Sequence, residues 1–432
     1  MFKSALVKRQ LTWPHLALLL YLGSLPTSHA LAFDSEQQRY RLSGFATLAA
    51  TRSGNEALGF RREFDREGLF DGDWSFTPDS IIGLQLDFNA TENLSGAVQL
   101  VGKDRAENTL ENSIEWAFLG YQWGNQWRLR AGRVGYDSLL ASEYRNVGFA
   151  YLWVRPPTEY YTMVTFFSLD GADLTWTKTM GPGTLRVKAL GGSTKNHTVF
   201  FDQVQELELD NIFGFNVGWE SDNWRIRFSA VRHEYTLSEE TFLGLGALAD
   251  SLNQVSGFWP EAAEYADLLT VENNQVRYFA LGSAYTNYPW QIQSELSYTD
   301  SRIEAYPSQL AGYVGVGYQL EQWTPYLLLA AARSESTLEV IAAPPVIPGN
   351  PLLNANLQQL QSVVQSTSDV RIADQTSFSA GVRWDFRHDM ALKAQLDHTK
   401  VGEHGYSLWN VRNAPSEDQT INTLTVALDW VF

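Results

Sequence analysis

Three short triplets carry the charge that could do chemistry in this chain. Arg128-Leu129-Arg130, Arg186-Val187-Lys188 and Arg225-Ile226-Arg227 each place a cation on either side of an aliphatic residue. In a strand, residues two apart share a face and lie about 6.7 Å apart, at about 3.3 Å rise per residue. Each triplet would aim two positive charges one way and an apolar side chain the other. Paired cations of this kind attract and orient anions; they do not break bonds. The residues on the opposite wall would be Gln291, Gln293 and Glu295, with Asp385, Asp397, Asp429 and Asp87, interrupted by Arg383 and Lys393. Basic facing acidic across a narrow passage would give a transverse field that orients charged solutes.

The segment 135–171 is the second candidate. It runs from Ser142 through Glu143, Tyr144, Arg145, Phe149, Tyr151, Trp153 and Arg155 to Pro156-Pro157, then Glu159, Tyr160 and Tyr161. It is too aromatic to stay in water and too irregular for a strand, and the two prolines stiffen it. Folding into an enclosed space would bury the rings. Arg133, Glu143, Arg145, Arg155 and Glu159 would then border a constriction.

No catalytic constellation emerges. His233-Glu234 lacks the second histidine of a helix-borne zinc site, and strand alternation accounts for Asp397, His398 and His404, so neither metal nor cofactor is expected. There is no glycine-rich phosphate loop and no nucleophile elbow. A hydrolase would need a serine–histidine pair with a polar third partner, and His233 and His398 show none. A net charge of −17 argues against nucleic acid as a partner.

Positioning these charges falls to strands. Period-2 alternation is clean in Ile82-Leu84-Leu86-Phe88, in Phe213-Phe215-Val217-Trp219 and in Phe378-Ala380-Val382-Trp384-Phe386, each opposed by small or polar residues. Seven tight connections carry turn chemistry: Asn89–Leu94, Trp123–Trp127, Met180–Gly183, Glu220–Asn223, Asn287–Pro289, Leu320–Gln322 and Arg387–Asp389. They join fourteen strands, and the first and last make sixteen, near 41–51, 80–88, 95–104, 113–123, 127–134, 172–179, 184–192, 211–219, 224–235, 275–286, 290–300, 310–320, 323–334, 376–386, 391–401 and 421–432. Strands 1, 4 and 10 alternate too poorly to assign a face. Aromatics edge the tight turns, as an interfacial girdle requires: Trp123, Trp127, Trp219, Trp224, Tyr288, Trp290 and Trp323. The long connections are 52–79, 105–112, 135–171, 193–210, 236–274, 301–309, 335–375 and 402–420. Helix is expected from Thr241 to Leu252, from Glu261 to Leu269 and from Asn354 to Gln365. The 236–274 stretch has seven acids and no Lys or Arg, which suits either a solvated face or oxygen ligands for divalent cations bridging to lipopolysaccharide.

The first thirty-two residues read as a secretory signal peptide, with Lys3, Lys8 and Arg9, an apolar run from Leu16 to Leu25, and Ala30-Leu31-Ala32 for cleavage. Its loss takes three bases and no acid, leaving −20. With no cysteine, an exported chain of this length must rely on packing or on closed sheet hydrogen bonding. The expected organisation is 1–32 signal peptide and 33–432 one transmembrane, up-and-down antiparallel β-barrel of sixteen strands, narrowed by the loop at about 135–171.

The last strand, Ile421 to Phe432, alternates Leu424, Val426, Leu428, Trp430 and Phe432 against Thr423, Thr425, Ala427 and Asp429. Ending on Phe432, it resembles the closing strand of Gram-negative outer-membrane barrels. The aromatic loop after Arg130-Ala131-Gly132-Arg133 resembles a segment of porin-type outer-membrane proteins, a family that narrows its channel with its third loop. The resemblance implies outer-membrane lipid and lipopolysaccharide around the barrel, recognition of Phe432 by the barrel-assembly machinery, a homotrimer, and passive diffusion of small solutes. The acidic signature of general porins on that loop is absent, which leaves a cation preference unsupported and an anion lean expected. The competing expectation is a receptor or adhesin with an occluded barrel.

Overall fold

The computed structural model describes residues 32–33, 39–164, 166–200, 203–237, 239–269, 275–301, 307–335, 341–369, 371–412, 414–415 and 417–432. All of the expected signal peptide except Ala32 lies outside them.

Sixteen long strands form the wall. In chain order they are β1 Tyr40–Ser53, β2 Ile81–Asn89, β3 Leu94–Lys103, β4 Ile114–Trp123, β5 Trp127–Gly135, β6 Ser168–Met180, β7 Gly183–Phe200 and β8 Gln203–Ser221. There follow β9 Trp224–Leu237, β10 Gln275–Asn287, β11 Trp290–Ser301, β12 Ser308–Tyr318, β13 Trp323–Glu335, β14 Ala373–Arg387, β15 Met390–Tyr406 and β16 Gln419–Val431. Each pairs antiparallel with its neighbours in sequence, and β16 pairs with β1 (Phe45 opposite Val431 through Ser53 opposite Thr423), so the sheet closes. Closure leaves no free edge, the condition for strands to cross a bilayer. Among the described residues no helix is long and apolar enough to cross.

All seven tight connections are hairpins. Their ends carry stacked rings, Trp123 on Trp127 with centroids 6.1 Å apart and Trp323 on Trp384 at 5.0 Å, and at the same end of the last strand Trp430 lies tilted beside Phe432 at 4.7 Å. Above this girdle the outer face exposes Leu84, Leu119, Phe213, Leu281, Leu329 and Phe378. An apolar outer band bordered by an aromatic girdle is a lipid-facing surface.

The three strands whose faces the sequence left open are resolved by what lies inside. Thr47, Ala49, Thr51 and Ser53 of β1 point inward, and Ala49 packs against Val154 of the long loop. On β10 Tyr278 and Ala280 point in while Phe279 and Leu281 point out, so both faces are apolar because both are covered. On β4 the register slips between Gln99 and Leu100, which leaves Glu115 as an extra residue and breaks the alternation.

One expected loop is not a loop. Segment 193–210 continues β7 and β8 as a paired hairpin up to Phe200 and Gln203, interrupted only by bulges near Gly192 and Asn211. Alternation of acids with apolar residues through Glu206, Leu207, Glu208 and Leu209 carries on the strand pattern. The extension leans over the barrel, where Leu207 and Leu209 are buried. The expected helices are longer than their periodic cores: α1 Glu239–Val255, α2 Glu261–Leu269 and α3 Pro351–Asp369. They share a small core of their own that includes Leu252, Trp259, Ala266 and Leu357.

Candidate functional site

The segment after β5 enters the barrel and crosses it, held from nearly every side. At its start Asp137 pairs with Lys188 of β7 at 2.6 Å and with Arg227 of β9, while its carbonyl accepts from Asn216 of β8. Next, Glu295 of β11 accepts from the Leu140 backbone N–H at 2.9 Å and from the hydroxyls of Tyr161 and Tyr313. Arg383 of β14 donates to the carbonyls of Phe149 and Tyr151 and pairs with Asp385 at 2.8 Å. Lys393 of β15, wholly buried, donates to the carbonyls of Gly148, Tyr151 and Trp153 at 2.7–2.8 Å and pairs with Asp429 at 3.0 Å. A buried ammonium needs such a set, because its three protons and its charge are cut off from water.

Further along, Trp153 lies edge-on to Tyr326, and Tyr160 meets Tyr161 and Tyr313 at 5.4 Å each. Arg155 spans to Asp79 at 2.8 Å, to Asp397 at 2.7 Å and to Thr425. Glu159 accepts from Gln375 at 2.8 Å and from Ser377. The loop after β1 closes over this one. Its Glu63 gathers Lys103 and Arg145, with Arg62 and Arg66 at 3.7 Å. Burial alone would raise the Glu63 carboxyl, but these four cations hold it well below its ordinary value. Burial works against Asp79 too, yet Arg155 and Arg62 pull it down to about 2. Glu159 has no cation partner, and burial raises it.

The basic triplets sit where alternation put them. Leu129, Ile226 and their neighbours face out, and Arg128, Arg130, Arg186, Lys188, Arg225 and Arg227 face in. Four of the six have acids: Arg130 with Asp173 at 2.6 Å, Lys188 and Arg227 with Asp137, and Arg225 with Glu220 at 3.2 Å. Arg128 and Arg186 have no hydrogen bond or ion pair among the described residues. Below the loop β7, β8 and β9 border a cavity of about 210 Å³, lined by Arg186, Lys188, Arg225 and Arg227.

Three expectations change. Arg133 lies an odd number of residues from Arg130, so it points away from the lumen and pairs with Asp170 at 2.9 Å. Arg145, Arg155 and Glu159 do not border an open passage; they are almost fully buried, because ion pairs and hydrogen bonds draw them into the loop's seam with the wall. Of that group only Glu143 stays largely in water, 3.8 Å from Lys188. The opposite wall is not free acid either: Glu295, Asp385, Asp397 and Asp429 are each committed to a partner, which removes the acidic half of a transverse field. Among the described residues, no group of His, Asp or Glu could hold a metal. Asp137, Glu63, Asp79 and Lys103 were not foreseen. Strand parity could have offered Lys103, which shares the inward face of Gln99, but nothing local marks the other three.

Compared with known proteins, the chain matches no family model and no curated protein. Solved structures match over nearly its whole length. It superposes on the outer-membrane channel DcaP of Acinetobacter baumannii with a TM-score of 0.51 at 11% identity, covering 93% of this chain and 100% of that one. The anion-selective porin from Comamonas acidovorans gives 0.50 at 11%, covering 91% and 99%. OmpF of Salmonella typhi gives 0.50 at 13%, covering 91% and 97%. The fold is that of the Gram-negative outer-membrane porins. At such low identity the likeness extends to architecture, and function must be argued from the lumen.

Proposed function

We propose that this protein is an outer-membrane porin-type channel for passive diffusion of small hydrophilic solutes, with a lean toward anions. The observation that carries this reading is the inner wall of β5, β7 and β9. Six cations there meet fewer acids; Arg128 and Arg186 have no acid partner among the described residues, and Arg186 stands beside a water-accessible cavity. An uncompensated charge at a constriction favours its counter-ion. The solved neighbours described as channels and as an anion-selective porin accord with this. On the same reading, residues 1–32 direct export, Phe432 addresses the barrel-assembly machinery, lipid and lipopolysaccharide surround the wall, and the barrel trimerises.

A second reading, an occluded receptor, is favoured by the depth to which the crossing loop is sealed against β10–β16. One experiment separates the two. The refolded protein is placed in a planar bilayer under a salt gradient. A steady ohmic conductance with an anion-signed reversal potential supports the channel. Absence of conductance favours the occluded barrel, and a cation-signed potential overturns the anion lean.

A further inference from the structure

Every junction between the sixteen long strands but one joins neighbours in the chain; the exception is β16 to β1. A hairpin turn fixes the register of its own two strands, and no turn fixes this one. Alternation excludes a slip of one residue, which would turn Leu424 and Val426 into the lumen. It does not exclude a slip of two, which keeps every side chain on its face. On the inner face hydroxyls meet across the seam: Thr47 donates to Asp429 at 2.6 Å, Thr425 to Thr51 at 3.1 Å and Thr423 to Ser53 at 3.2 Å. A slip of two would partly re-form that ladder, setting Thr423 on Thr51 or Thr425 on Ser53.

The outer face discriminates where the inner one does not. Phe432 follows β16 and exchanges both backbone hydrogen bonds with Gly44, whose N–H donates at 2.8 Å and whose carbonyl accepts at 3.0 Å. The Phe432 ring lies in the space that a side chain on Gly44 would fill: a Cβ there would stand 2.6 Å from Cε2 and 2.9 Å from Cε1. Trp430 flanks the ring at 4.7 Å. Two residues away on the same face, Leu42 and Ala46 carry side chains, so neither slip offers the ring a bare floor. The strands beside the seam repeat the device. Phe45 covers Gly83, its direct partner on β2, and Phe88 covers Gly96, its direct partner on β3. A glycine weakens a strand, and a ring laid across it restores the packing that the missing side chain forfeits.

We infer that Gly44 is the register key of the closing seam: the barrel closes only in the register that seats the Phe432 ring on Gly44. The inference goes beyond the channel reading and does not depend on it. It gives Phe432 a partner inside the barrel besides its proposed recognition by the assembly machinery.

The chain has no cysteine, so introduced pairs report the register without background. The full-length chain is refolded from urea into dilauroyl-phosphatidylcholine vesicles, with no assembly machinery present, and oxidised. Ser53→Cys with Thr423→Cys reports the observed register, since directly opposed residues lie within disulfide reach. Ser53→Cys with Thr425→Cys, and Thr51→Cys with Thr423→Cys, report the two slips, because diagonal neighbours stand too far apart to bridge in the observed register. The parent forms the first cross-link alone. Gly44→Val lowers its yield about tenfold and raises a slipped one, because the valine and the ring compete for one space. Gly218→Val keeps the parental pattern, since a Cβ on Gly218 meets nothing nearer than the Ile226 carbonyl at 3.7 Å. Phe432→Ala also slips, and adding Gly44→Val to it changes nothing further, because the valine then has no ring to meet. If Gly44→Val closes in no register, that double variant still decides: closure restored by Phe432→Ala supports the key, and closure still lost overturns it. Parental cross-linking in Gly44→Val or in Phe432→Ala overturns it as well.

Discussion

One inserted loop meets the two sides of this barrel in opposite ways. Along β10–β16 it is sealed to the wall: Glu295, Arg383, Lys393, Gln395 and Asp397 all spend their polar atoms on it, and rings from both partners fill the rest. Along the lower part of β5–β9 its polar contacts are few, at Asp137, Leu139 and Tyr144, and the cavity opens there. The same residue types therefore do different work. Lys393 is dry and must be satisfied by three carbonyls and a carboxylate; Arg186 is exposed in the lumen and needs no protein partner. Desolvation decides between the two roles, because a charge removed from water is costly unless fully paired, while a solvated one is nearly free.

Breaking the sealed side should have the largest effect. Lys393→Met leaves Asp429 and three carbonyls buried without their donor, and loss of one member of a buried pair costs about 3–5 kcal/mol. The loop should detach locally while the closed sheet persists. Limited trypsin digestion should then cut after Arg145, which the parent protects, and conductance should rise. A variant that keeps both parental protection and parental conductance would mean that Lys393 does not anchor the loop.

Acid should loosen the same side by a different route. The Asp79 carboxyl is held down to about 2, against an ordinary 3.8. A depressed carboxylate stabilises the fold above its unfolded value, and that contribution is lost as pH falls through the folded one. The clamp of Arg155 is therefore intact above about pH 4 and weakens between there and about pH 2. Glu63, also held low, adds to the same trend. Asp79→Asn should show the loosened protease pattern already at neutral pH and lose most of the acid dependence.

On the open side the main effect is on selectivity, with a stability cost where buried Asp173 and Asp137 each lose a cation. Replacing Arg128, Arg130, Arg225 and Arg227 together with glutamine should move the reversal potential toward cations. Retention of the anion-signed potential would remove these strands from the selectivity argument.

The wall was legible because alternation needs only neighbours along the chain. Phe213 to Trp219 and Phe378 to Phe386 declare their faces, and seven turns count the hairpins. Legibility failed where the inner face is itself covered: Tyr278 and Ala280 look like membrane residues because they face a packed loop, and Ala49 is small because Val154 presses on it. The inner charges were legible as a face and not as partnerships. Arg155 reaches Asp79, Asp397 and Thr425, and Lys393 reaches the carbonyls of Gly148, Tyr151 and Trp153; these are contacts across the lumen between segments far apart in sequence, which no local period records. Arg133 was misplaced for a simpler reason: grouping it with its loop overrode the parity that its own strand supplies.

Arg133 also gives the smallest and sharpest test of that parity. Its guanidinium pairs with Asp170, whose side chain is 55% exposed, and an exposed pair contributes about 0–1 kcal/mol. Arg133→Gln should leave thermal stability almost unchanged and should not move the reversal potential, because the lost charge stands outside the lumen. Arg128, five residues earlier and of opposite parity, should move it on its own. If Arg133→Gln shifts the potential as far as Arg128→Gln does, the inside–outside assignment of β5 is wrong, and the contrast between the open and sealed sides loses its footing.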